Sequence, residues 1–233
     1  PGTQREITVT LTPNGTPGPL KLIVEALPHA GVDHALAFTL PLGAQMKAPG
    51  TRDATLVTAG TYKADPGHTM VVWTVDHLGF TPYSGIFGGV TGTLTLDPKN
   101  PSAAMVDVTI PVGQVTTASA GLTAHLLKPA AAGGKADFFG AAPANARFVS
   151  HHVIVEGTNA TIHGDLTLNG VTKPVTLKAM FYGAGKMPAM MGGKEGLGFT
   201  ALGSIKRSEF GVGYGIPMVS DEVALKIYAG FDK

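Results

Sequence analysis

Eight histidines are the residues of this chain most able to do chemistry, and metal ligation is the first chemistry they suggest. Their spacing argues against it. His68 and His77 lie on one extended run, and at about 3.3 Å per residue they stand roughly 30 Å apart, too far to share an ion. His151 and His152 are adjacent in a strand-like run, which predicts side chains on opposite faces. His-Glu-x-x-His is absent, and a chain without cysteine has no thiolate site, disulfide or thiol nucleophile. His68 reads best as a polar cap at a strand start. His77 is better placed for function, because it carries the inward series Val71, Trp73, Val75 to a strand end.

Arg207 leaves two readings open. At a strand end before Phe210-Gly211, its guanidinium could hold an anionic or carbonyl head group. It could equally serve structure, paired with Asp221 or Glu222. Gly211-x-Gly213-x-Gly215 follows a strand but precedes no helical pattern, so it reads as a bent connection and not a phosphate loop. Gly-x-Ser-x-Gly is missing, and no Ser/His/Asp set is recognisable. The expectation is a protein that is not an enzyme, with no catalytic residue, no metal and no required cofactor. Net charge +1 and a charged fraction of 14% give no field that would draw nucleic acid or an anionic membrane.

The elements that must position these residues are strands. Alternating runs separated by Gly, Pro and Asn turns fall at Thr69–His77, Gly89–Asp97, Ala103–Val112, Ala146–Glu156, Thr161–Asn169, Val175–Tyr182, Gly198–Lys206 and Glu222–Phe231. Eight sequential strands with short links such as Asn169-Gly170 predict an all-β fold, an antiparallel up-and-down barrel. Between Thr116 and Phe139 the alternation fails; Ala120–Lys128 reads as a short helix and Lys135–Phe139 as a second turn. Gly183–Gly196, rich in Gly and Met, reads as a loop or lid. Residues 57–233 are taken as the barrel domain. Residues 1–56 form an N-terminal β extension: Ile7/Val9/Leu11 and Leu20/Leu22/Val24 around Asn14-Gly15 predict a hairpin, Leu36/Phe38/Leu40 adds a strand, and Ala48–Ala59 reads as linker. No run of 18 apolar residues exists to form a transmembrane helix, and a start at Pro1 suggests a processed terminus.

One ordered set of phrases is more specific than any of these motifs. Asp65-Pro66-Gly67-His68-Thr69, Gly85-Ile86-Phe87, Gly164-Asp165-Leu166-Thr167-Leu168-Asn169-Gly170-Val171, Lys206-Arg207-Ser208-Glu209-Phe210-Gly211 and Val219-Ser220-Asp221-Glu222-Val223 follow one another along the chain. Together they resemble the YceI-like family, over Gly60 to Phe231. The resemblance implies an eight-stranded lipocalin-like barrel whose apolar tunnel holds an isoprenoid lipid, a quinone or polyprenyl derivative, for transport or storage. It also implies a periplasmic or secreted protein. The ligand contacts expected are Trp73, Val75, His77, Phe87, Leu94, Val108, His125, Leu126, Phe138, Phe139, Phe148, Leu166, Phe181 and Arg207. Any one of these aromatics could be ordinary core. Small inward residues (Gly92, Ala104, Gly164, Ala179, Ala201) favour a tunnel, because they leave volume to occupy. The chain departs from the family where Gly121-Leu122-Thr123-Ala124 precedes His125-Leu126 and at Ala142-Pro143-Ala144-Asn145. Two alternatives stay open: an enzyme acting on such a lipid, if His77, Arg207 and His125 converge, and a stress-related interaction module using the N-terminal region. An open barrel end could also pair two copies as a homodimer.

Overall fold

The computed structural model describes residues 20–25, 35–40, 48–132 and 134–233. The chain divides into two compact units, Pro1–Ala48 and Pro49–Lys233. In the first, β1 (Leu20–Glu25) pairs antiparallel with β2 (Ala35–Leu40), setting Leu20, Leu22 and Val24 opposite Leu40, Phe38 and Leu36. The Ile7–Leu11 run and the Asn14-Gly15 turn lie outside the described residues.

The second unit is built on period-two alternation. Its strands are β3 (Gly60–Ala64), β4 (Met70–His77), β5 (Thr81–Phe87), β6 (Thr91–Leu96), β7 (Met105–Ile110), β8 (Val115–Thr117), β9 (Ala146–Glu156), β10 (Asn159–Leu168), β11 (Val171–Lys186), β12 (Glu195–Lys206) and β13 (Glu222–Asp232). Antiparallel pairings run β3-β6-β7-β9-β10-β11-β12-β13, and Phe231↔Ala64 returns β13 to β3. The result is a closed eight-stranded barrel. Closure leaves the inward residues a single interior.

Membership of the ring differs from the sequence reading in one place. The expected first strand, Thr69–His77, is β4, which pairs with Ala224–Tyr228 on the same edge of β13 that β3 occupies at Phe231 and Asp232, and its Val71 reaches the barrel interior. The pairing with β6 that closes the ring belongs to β3, whereas β4 pairs with β5. Asp65-Pro66-Gly67 divides one long strand into these two: the Asp65 carboxylate accepts from Gly67 N at 2.8 Å, and the Asp65 carbonyl accepts from Thr69 N at 2.8 Å. β4 then carries β5 and β8 as a side flap. β5 escaped the pattern because Pro82 and Gly85 read as strand breakers; each sits in the hairpin with β4, opposite Asp76 and Trp73.

Other expectations also shift. β11 and β12 extend through Gly183–Lys186 and Glu195–Gly196, so the connecting loop is residues 187–194 alone. The helix α1 spans Ala120–Leu126, capped by Ser119 Oγ accepting from Leu122 N, while the second turn expected at Lys135–Phe139 is a bend over residues 137–139. His151 and His152 do not point to opposite faces. The β9–β10 register pairs His163 with His152 and Gly164 with Ser150, so His151 is the extra residue of a bulge. Both histidines are exposed between buried Ser150 and Val153.

Candidate functional site

The barrel interior holds a cavity of about 390 Å³. That volume lies within the roughly 300–1,000 Å³ of ligand pockets. It exceeds the roughly 150 Å³ apolar cavities that stay dry and admit small hydrocarbons. Its walls are alternate residues of the ring strands: Leu94 and Leu96 from β6, Val106, Val108 and Ile110 from β7, Leu166 and Leu168 from β10, Val175, Leu177 and Ala179 from β11, Phe199, Ala201 and Ile205 from β12, and Leu225 and Ile227 from β13. The space exists because Ala179 and Ala201 face each other across β11 and β12, where larger side chains would meet.

No lining residue among those described is charged, and only Thr69, Thr158 and Asn159 carry polar side chains. The Thr69 hydroxyl is already used: it donates to Gly230 O at 2.9 Å and accepts from Gly230 N at 3.1 Å. A cavity of this kind rewards apolar atoms and offers an isolated charge nothing but desolvation.

The two ends differ. At one end the lining residues Ala54, Pro98, Gly157, Thr158 and Asn159 are exposed, and they form the mouth. At the other, Val90, Ala146 and Val112 are buried, and Phe210, 1% exposed, packs beneath them as a floor. Sequence reasoning missed the mouth. Pro49–Val57, read as linker, lies along β11 instead. β10 ends opposite Met180, so the edge of β11 beyond it is free for Thr51, which exchanges backbone hydrogen bonds with Ala184 at 3.0 and 2.9 Å. Glycine makes this approach feasible: a Cβ on Gly183 would lie 2.9 Å from Thr51 O, and one on Gly185 would overlap Pro49 O. The strap then brings Ala54 and Val57 over the cavity. Thr58 donates to Glu195, holding that carboxyl below its usual range, and Lys233 donates to Ala59 O at 2.9 Å. A pair of glycines two apart at the end of a long strand was the available signal.

Of the contacts expected from sequence, Phe87, Leu94, Val108, Phe148, Leu166 and Phe181 line the cavity. Trp73, Val75, Leu126, Phe138 and Phe139 do not; they belong to a separate cluster beside the floor, where α1 packs on β4 and β8. His77, His125 and Arg207 also lie away from the lining, although all three meet the loop Gly211–Ser220. His77 bridges Val219 and is exposed. The His125 ring bonds Asp137 at 2.8 Å and packs on Tyr214. Arg207 is 6% exposed and donates to Ser220 O, Val212 O, Tyr214 O and Val219 O, each at 2.8 Å. Four of the five guanidinium N–H groups are thereby spent on carbonyls. Burial pushes the guanidinium below its usual value, with Asp221 opposing. Asp221 itself receives Ser208 N and Oγ, so of the two readings left open for Arg207 the structural one holds, as a carbonyl staple in place of a pair with Asp221 or Glu222. His68 caps Asp65 at 2.6 Å on the surface.

Comparison with known proteins agrees with this geometry. The YceI-like domain model matches residues 62–231. Protein YceI of Escherichia coli O17:K52:H18 is 41% identical over 172 residues, covering 72% of this chain and 85% of that protein. Protein YceI of Salmonella arizonae gives the same figures. The crystal structure of the Campylobacter jejuni YceI protein superposes with a TM-score of 0.56 at 27% identity, over 68% of this chain and 89% of that one. BcnA of Burkholderia cenocepacia shares the fold, with a TM-score of 0.58 at 24% identity, over 72% of this chain and 98% of that one.

Proposed function

The chain belongs to the YceI-like family, and on that premise we propose that it binds one isoprenoid lipid, a quinone or polyprenyl derivative, in the barrel cavity. The observation that carries the reading is the cavity itself: about 390 Å³ with no charged residue in its described lining. Each isoprene unit buries five carbons, roughly 4 kcal/mol at about 0.8 kcal/mol per carbon. About four units therefore offset even the upper estimate, about 15 kcal/mol, for lost translational and rotational freedom. Such a lipid has a negligible free concentration in water, so a protein that shields it serves transport or storage. That role needs no reaction, and the proposal assigns none. It places the protein in the periplasm or outside the cell, between membranes that hold such lipids.

The mouth is where exchange takes place. Thr158 and Asn159 are the polar side chains at hand there, and the strap at Ala54 and Val57 borders the opening. Incubation with vesicles containing a radiolabelled isoprenoid quinone, followed by separation of protein from vesicles, tests the reading. One equivalent of quinone recovered with the protein is the expected outcome. Recovery no greater than with an unrelated protein of similar size would sink it.

A further inference from the structure

Beside the cavity floor, two buried hydrogen-bonding groups have no partner among the described residues: Trp73 Nε1 and Tyr83 Oη. Trp73 is 9% exposed, and the Tyr83 oxygen is itself shielded from solvent. Such orphans are rare, because an unmet buried donor forfeits its hydration without return. The backbone brings this pair together. β4 and β5 pair Trp73 with Gly85 and Val75 with Tyr83, so Trp73 and Tyr83 are diagonal neighbours on one face of the flap. A Cβ on Gly85 would overlap the indole, so glycine there lets the ring lie across β5. Val75, Leu126 and Phe138 surround the pair in one apolar cluster.

This cluster shares Phe87, Ile205 and Leu225 with the cavity wall. Phe87 belongs to both the cavity wall and this packed cluster, 6.5 Å from Trp73 and 5.9 Å from Phe139, ring centre to ring centre.

We propose that Trp73 Nε1 and Tyr83 Oη form a head-group subsite at the inner end of the cavity, taking the carbonyl or hydroxyl oxygen of a neutral ring such as a quinone, with the isoprenoid tail trailing toward the mouth. The inference rests on the carrier reading above. Two neutral donors in an apolar cluster suit an uncharged acceptor. An isoprenoid phosphate would bring charge into a compartment that pays nothing back for its desolvation, and the subsite discriminates against it.

The test uses Tyr83→Phe in the full chain and three probes: a prenylated benzoquinone, an open-chain isoprenoid hydrocarbon of equal tail length, and the matching prenyl phosphate. Trp73 is the only tryptophan, so its quenching reports arrival of the quinone, and native mass spectrometry reads occupancy for all three probes. The expected result has three parts. Wild-type protein binds the quinone more tightly than the hydrocarbon and the phosphate. Tyr83→Phe weakens quinone binding about fivefold to tenfold, the worth of one net hydrogen bond, and leaves the hydrocarbon unchanged. Without ligand, Tyr83→Phe melts no lower than wild type, because the hydroxyl it removes has no protein partner. Trp73→Phe, followed by native mass spectrometry, repeats the comparison from the other donor. Equal loss for quinone and hydrocarbon, or quinone no tighter than hydrocarbon, overturns the subsite while leaving the carrier reading intact. Failure to bind any of the three overturns both.

Discussion

Ala201→Leu fills the cavity from within. Ala201 is buried, lines the cavity and faces Ala179 across the β11–β12 pair. The change adds three carbons, and at about 0.8 kcal/mol for each buried carbon the gain is about 2 kcal/mol in the ligand-free protein. In a packed core the same insertion would cost about 1–3 kcal/mol through strained rotamers, so the sign of the effect reports directly on the space. For a domain of this size, 1 kcal/mol moves the melting temperature by about 2–4 °C. Differential scanning calorimetry of delipidated protein should then show a rise of about 4–8 °C. Binding moves the opposite way, because the leucine occupies room the ligand needs. Losing about 2 kcal/mol of chain burial weakens isoprenoid affinity about 30-fold. A lower melting temperature with unchanged affinity would refute the reasoning, since it would mean that Ala201 faces packed core and that ligand lies elsewhere.

Arg207→Met strips the staple from four carbonyls of the loop Gly211–Ser220; stability should fall by about 2–4 kcal/mol in thermal unfolding, and Arg207→Lys should not restore it, because an ammonium cannot span the four acceptors. Isoprenoid affinity below the melting temperature should stay within twofold, since Arg207 is not in the cavity wall. Gly185→Ala would press on Pro49 O and lift the strap from β11; stopped-flow ligand displacement should show release several-fold faster, with a melting temperature within a few degrees of wild type. The carboxyls of Asp65, Asp107 and Asp221 are held below their usual range by hydrogen bonds from His68, Arg147 and Ser208 respectively. A depressed folded value stabilises the protein above the unfolded value near 3.9 and is lost as pH falls through the folded one. Melting temperature should therefore hold steady above about pH 5 and drop below about pH 4, and Asp221→Asn should make that drop shallower.

Sequence made the barrel legible because alternation is a backbone rule: Leu94/Leu96, Val106/Val108/Ile110 and Leu166/Leu168 face inward in the structure as their spacing requires. It was blind wherever one residue broke the count. Pro82 hid β5, the Asp65-Pro66-Gly67 bend hid the split between β3 and β4, and the bulge at His151 turned two adjacent side chains to the same face. The cavity wall was half legible. Phe148 and Phe181 reach it because they sit on ring strands, whereas Trp73 and Val75 obey the same alternation on a strand that leaves the ring, and so pack under α1. Tyr83 and the strap could not be found from period-two patterns at all. One lies on the hidden strand, and the other is an irregular segment whose position is set by glycines more than 120 residues away, at Gly183 and Gly185.

The most direct measurement is mass spectrometry of the organic extract of protein purified from its own host, paired with native mass spectrometry of the intact chain. The account predicts one isoprenoid lipid per chain, released on extraction and reduced in the Ala201→Leu protein. A chain that leaves its host without an apolar ligand, and takes up neither quinone nor polyprenyl lipid when offered them, would contradict it.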